Sequence, residues 1–140
     1  MGSKLDELEM ENEGQILTPS FIICERKSDA AFFFRLVRER NLNGFQVGWA
    51  GGKTGFGSYL NGLRPRTSIN LQRLILVRDS DDDPSDAFKR MVEQIKAAKD
   101  HPYPIPTEPK TVATGGTPHV SVLLLPDSDE MGTLETLLVR

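Results

Sequence analysis

The chain has 140 residues, enough for one domain with a single core and too few for two. No apolar run approaches the roughly 20 residues of a membrane-spanning helix, and no secretory signal opens the chain, so a membrane protein is excluded and no membrane partner is expected. A net charge of −3 excludes a broadly basic nucleic-acid coat, and a single cysteine, Cys24, excludes an intrachain disulfide or a Cys-based zinc site and suits a reducing, cytoplasmic compartment.

Residues 1–18 are acidic, poor in aromatics and without apolar period, and are read as a disordered leader ahead of a domain spanning 19–140. Residues 1–20 set one lysine against five carboxylates, a net of −4, which leaves +1 for the remainder. A polynucleotide would therefore be held by local groups such as Lys53, Arg64, Arg66 and Arg73.

Beyond Pro19, short aliphatic runs alternate with stretches of helical spacing, the pattern of an α/β fold with about four mainly parallel strands flanked by helices. Phe21 to Cys24 is a continuous apolar strand, and Ala30, Phe33, Phe34 and Val37 then mark one helical face. Asn43-Gly44 is taken to end that helix, Phe45 to Trp49 forms a second strand, and Tyr59, Leu60 and Leu63 belong to a short helix before Pro65. Leu71 to Val77 is the clearest strand. Asp83-Pro84 opens a helix with Phe88, Met91, Val92 and Ile95 on its buried face, Asp83 being its N-cap. Four prolines make His101 to Pro109 a loop, Val120 to Leu125 is the fourth strand, and Leu134 to Val139 starts a last helix.

In open parallel sheets, ligands bind beyond the carboxyl ends of the strands. Glu25 follows the first strand, and Asp79, Asp81, Asp82 and Asp83 follow the third. Convergent carboxylates repel one another unless a cation sits among them, which points to Mg²⁺ or Mn²⁺. Alternation aims Asp79 and Asp81 the same way, so they form the better pair, although a solvated turn would use the same residues.

Glu25 after an aliphatic strand, with a later strand ending Leu-Ile-Leu-Val-Arg-Asp79-Ser80-Asp81, resembles the Toprim domain of topoisomerases, primases, maturation ribonucleases and overcoming-lysogenisation-defect (OLD) nucleases. Cys24-Glu25-Arg26-Lys27-Ser28-Asp29 is similar to the glutamate motif nearest the OLD group, with Asp29 in the position of its second acid. Gly132-Thr133-Leu134-Glu135 is similar to a signature of small Toprim-like proteins. The resemblance implies Glu25 as general acid or base or as ligand, Asp79 and Asp81 as metal ligands, and Asp29 and Glu135 as acids completing a second site. Two ions about 4 Å apart would stabilise the attacking and leaving oxygens of a phosphodiester. It thus implies a metal-dependent nuclease acting on DNA or RNA, by family analogy in phage defence, with a non-catalytic module that binds nucleic acid or a protein partner as the second reading.

Arg26 departs from the glycine common after the glutamate, and either crowds the backbone or contacts a phosphate. The chain stops within its last predicted helix, so a basic residue that such nucleases supply further on is missing, either by nature or through truncation. Asp29 also suits the first turn of a helix, and Glu135 an exposed helical position beside Leu134, Leu137 and Leu138. Gly51-Gly52-Lys53-Thr54 resembles part of a P-loop, but the required upstream glycine is Val47, so the segment is read as a glycine-rich turn with Lys53 near the mouth of the carboxylate site, contacting phosphate. His101 and His119 have no partner at ligand spacing, and Cys24 is read as a buried, inert thiol.

Overall fold

A computed structural model describes residues 16–42, 44–63, 71–80, 82–98 and 103–125. Four strands, β1 (Ser20–Cys24), β2 (Phe45–Trp49), β3 (Arg73–Asp79) and β4 (His119–Leu125), form one parallel sheet in the order β2-β1-β3-β4. This is the expected α/β architecture, with all four strands parallel. Helix α1 (Lys27–Glu39) joins β1 to β2, α2 (Phe56–Asn61) lies between β2 and β3, and α3 (Pro84–Ala97) lies between β3 and β4.

The sheet is buried on both faces, which is why its strands read as nearly unbroken apolar runs. Strand alternation divides each run between two cores. Ile22, Cys24, Ile75 and Val77 meet Ala30, Phe33, Phe34 and Val37 of α1. Phe21, Ile23, Leu74 and Leu76 meet Phe56 and Leu60 of α2 and Ala87, Met91 and Ile95 of α3. Each large side chain fully buried here contributes roughly 1.5–3 kcal/mol. The packed chain starts no later than Ile16, which is fully buried and lies ahead of the expected boundary at residue 19.

Several boundaries differ from expectation. α1 ends at Glu39, and the residue in the left-handed region is Asn41 (φ 53°), with the Leu42 N–H closing on the Val37 carbonyl at 3.0 Å. That is a helix-terminating turn built on asparagine rather than on Gly44. β3 starts two residues later than expected and runs on to Asp79, because β4 continues alongside it as far as Leu125. Ala87, Met91 and Ile95 form the buried line of α3, while Phe88 and Val92 are half-buried.

The chain leaves β1 in one direction to reach β2 and then crosses back to place β3 on the other side of β1. The crevice between the carboxyl ends of β1 and β3 is thus the topological switch point, where open parallel sheets bind their ligands.

Candidate functional site at the switch point

Glu25 is the first residue past β1 and is only 2% exposed. Its side chain turns toward β3, where Oε1 accepts the Asp79 main-chain N–H at 3.2 Å. Its main chain is pinned from the other side. The N–H groups of Gly51 and Gly52 both donate to the Glu25 carbonyl, at 3.0 and 2.9 Å, and the Ala50 N–H donates to the Cys24 carbonyl at 2.8 Å. Gly51 (φ 86°) and Gly52 (φ 137°) adopt backbone angles that only glycine reaches cheaply. These donors are consumed in holding Glu25, which removes the P-loop reading on structural grounds as well as on spacing.

Arg26 lies across the two acids. Its Nη2 donates to Asp79 Oδ2 at 3.0 Å and its Nε to Glu25 Oε2 at 3.4 Å, while 60% of the side chain stays exposed. The Glu25 carboxylate is the main reason its guanidinium is held above its ordinary value, with Asp79 next. Arg26 therefore neither crowds the backbone nor stands idle, and it supplies positive charge to the pair.

Asp29 sits in the first turn of α1 near the Arg26 main-chain N–H, which favours its charged form, while Arg26 makes no side-chain cap bond of its own. Burial raises its carboxyl above the usual range, and so does the nearby Asp79; the Arg26 N–H and guanidinium oppose this, and Glu25 adds a smaller push upward. The structure thus shows Asp29 as a first-turn acid of α1 that feels Asp79 and Glu25. Asp83 is the N-cap of α3, accepting the Asp86 N–H at 3.1 Å, with Pro84 following. Cys24 is fully buried, and burial pushes its thiol well up, as expected of an inert core sulfur.

Asp81 and Glu135 lie outside the described residues, as do Arg64, Arg66 and His101. Among the described residues, no three His, Cys, Asp or Glu side chains form a group able to hold a metal ion. Besides burial, Asp79 and Glu25 both raise the Asp29 carboxyl, so the three acids are electrostatically coupled at this end of the sheet.

Lys53 is placed elsewhere than expected. It lines a cavity of about 670 Å³ with Arg78, Asp86, Arg90, Glu93 and Gln94, on the α3 side of the sheet. Alternation explains the split: Asp79 follows Ile75 and Val77 toward the α1 face, whereas Arg78 follows Leu74 and Leu76 toward α3. Sequence reasoning missed Gln94, whose Oε1 accepts the Gly57 N–H at 3.1 Å and whose Nε2 donates to the Lys53 carbonyl, fastening the glycine-rich loop to α3. A lone glutamine on a helix gives no local signal of that role.

No helix among the described residues is long and apolar enough to cross a membrane. The chain belongs to the family described as Protein of unknown function (DUF3226), whose model matches residues 19–140. No curated protein and no solved structure matches it.

Proposed function

We propose that the protein is a Toprim-like, divalent-metal-dependent enzyme of phosphodiester chemistry on nucleic acid, a nuclease before a primase. The observation that carries this reading is the meeting, at the switch point, of a buried Glu25 with Asp79, 54 residues away in sequence. Glu25, Asp79 and Asp81 would hold Mg²⁺ or Mn²⁺, with Asp29 and Glu135 as the acids of a second site. An ion bound there would supply Lewis-acid stabilisation to charge developing on a phosphodiester. The chain's own contribution is positional. The Gly51 and Gly52 N–H groups fix the Glu25 main chain, the Asp79 N–H orients its carboxylate, and the exposed Arg26 guanidinium lies within reach of a phosphate oxygen.

A second reading has its own observation. Arg26 already bridges Glu25 and Asp79, and a pair so compensated suits a non-catalytic module that binds nucleic acid or a protein partner. Mn²⁺ titration calorimetry on the wild type and Asp79→Asn/Asp81→Asn separates the two. Saturable binding lost in the variant, with Mn²⁺-dependent cleavage of DNA or RNA lost in parallel, is the expected outcome. A folded wild type that binds no Mn²⁺ would overturn the enzyme reading in favour of the module.

A further inference from the structure

Consecutive residues at the start of α1 reach to opposite sides of the switch-point crevice. Arg26 turns toward β3, where its guanidinium meets Asp79 at 3.0 Å, and Lys27 turns toward β2, where its Nζ stands 5.4 Å from the centre of the Trp49 ring. Trp49 is the last residue of β2 and the direct ladder partner of Cys24, the residue before Glu25. It packs against the core on the α1 side of the sheet, the side toward which Asp79 also follows Val77. Trp49 and Val77 lie in one row across β1, and Asp79 is two residues further along β3, so the main chains of Trp49 and Asp79 are roughly 12 Å apart.

The cover over that ring is of a kind that can be exchanged. Trp49 is half-buried rather than enclosed, and the group over its face is an exposed lysine, a flexible and strongly hydrated cation. Packed apolar side chains over a core tryptophan could not leave without opening a cavity, whereas an exposed ammonium returns to water at small cost. A nucleobase, flat and itself aromatic, holds an indole face more strongly than a hydrated ammonium does. The displaced ammonium stays within reach of the phosphate that the base brings with it. The platform is fixed beforehand: the Ala50 N–H on the Cys24 carbonyl, at 2.8 Å, and the Gly51 and Gly52 N–H groups on the Glu25 carbonyl hold the main chain beside Trp49 with the same clasp that holds Glu25.

We infer that Trp49 stacks an unpaired base of a nucleic-acid strand whose backbone runs past Lys27 and Arg26 to the carboxylate pair, so that the strand is single at this point. This rests on the reading of the crevice as a nucleic-acid site, whether or not a metal works there. Stacking on a ring requires a base with its own face open, which a continuous duplex does not offer, and it accepts any base. With a net charge of −3 on the chain and Arg26 already engaged by two acids, charge alone gives a strand a weak hold, and the stack carries most of the contact.

Trp49 is the only tryptophan of the chain, so its emission reports the contact directly. The full chain, in EDTA at low salt, is titrated with short oligothymidylate and oligouridylate, end-labelled to read binding by anisotropy and unlabelled to read Trp49 emission. At least one strand should bind saturably and quench Trp49 along the same curve, and oligothymidylate annealed to oligoadenylate should bind at least tenfold more weakly than a bound single strand. Trp49→Leu should weaken strand binding at least tenfold with an unchanged far-UV circular dichroism spectrum, and Trp49→Phe, which keeps a ring, by less. A folded wild type that binds neither strand, binding that leaves Trp49 emission unchanged, a duplex bound as tightly as the single strands, or undiminished binding in folded Trp49→Leu would each overturn the inference. The wild-type emission needs no variant and decides the matter even where Trp49→Leu fails to fold. Because EDTA removes divalent ions, a chain that binds no Mn²⁺ can still pass this test, and one that binds Mn²⁺ can still fail it.

Discussion

Two replacements of Glu25 separate what its shape does from what its charge does. Oε1 accepts the Asp79 N–H at 3.2 Å in a buried position. Glu25→Ala deletes that acceptor, and an unsatisfied donor costs about 1–3 kcal/mol. Asp79 is one-third exposed, at 34%, and water can reach part of the gap, which places the cost near the low end, about 1 kcal/mol. Glu25→Gln retains an oxygen at the same place and removes a charge that Asp29 opposes and Arg26 favours, two effects of opposite sign, so its stability without metal should lie within about 0.5 kcal/mol of wild type.

Metal reverses the similarity between the glutamine variant and the wild type. If the amide costs tenfold in Mn²⁺ affinity, a concentration of one hundred times the wild-type Kd stabilises the wild type by about 2.7 kcal/mol and Glu25→Gln by about 1.4 kcal/mol. For a domain of this length about 1 kcal/mol moves Tm by roughly 4 °C, so the two melting curves, nearly superimposed in EDTA, should part by about 5 °C in Mn²⁺. Differential scanning calorimetry at neutral pH reads both conditions. Equal Mn²⁺-induced shifts in wild type and Glu25→Gln would refute Glu25 as a ligand, and an unchanged Glu25→Ala in EDTA would refute the structural value of its bond to Asp79.

Asp29→Asn should gain on wild type as pH rises. A carboxyl raised by burial and by Asp79 binds its proton more tightly folded than unfolded, so wild-type stability falls between the ordinary carboxylate value and the raised one and stays lower above it. Urea melts at pH 3.5 and pH 7 should show the difference between variant and wild type moving in favour of asparagine, and a constant difference would sink the assignment. Gly55→Ala should cost about 1–3 kcal/mol, because its Cβ would stand 2.3 Å from the Ala50 carbonyl oxygen, inside the loop whose N–H groups hold Glu25. Gly115→Ala, with nothing within 4 Å, should stay within about 0.5 kcal/mol, and equal urea midpoints for the two variants would remove the loop as a rigid clasp.

The strands were legible because burial on both faces leaves an unbroken apolar run, as in Phe21 to Cys24, and α1 because its buried residues recur at helical spacing. Ends were less legible. Leu71 is apolar and buried like its neighbours, yet β3 begins at Arg73, and nothing local distinguishes a residue under a ladder from one within it. Glu25 and Asp79 could be placed because strand order puts the carboxyl ends of β1 and β3 at one crevice whatever the loops do. Lys53 could not, since its side of the sheet depends on how Gly51 and Gly52 wrap the Glu25 carbonyl and on Gln94, 41 residues away. The meeting of Lys27 with Trp49 was hidden for the same reason: ladder register and the turn from β1 into α1 bring them together.

Arg26 links the two readings of the carboxylate pair. A buried carboxylate beside a second acid needs a counter-charge to be tolerated, and in this chain the counter-charge is tethered to the neighbouring residue. The two kinds of group are held very differently. Glu25 is fixed through its main chain by two glycine N–H groups and through its side chain by the Asp79 N–H, whereas the Arg26 side chain is 60% exposed and touches the pair through contacts of 3.0 and 3.4 Å. The exposed contact to Asp79 is worth little in water, whereas the contact to Glu25 keeps a counter-charge on a buried carboxylate. On the metal-dependent reading, Glu25 and Asp79 would hold an ion with their positions already organised by the chain, and the exposed Arg26 guanidinium would be the group able to turn toward a phosphate.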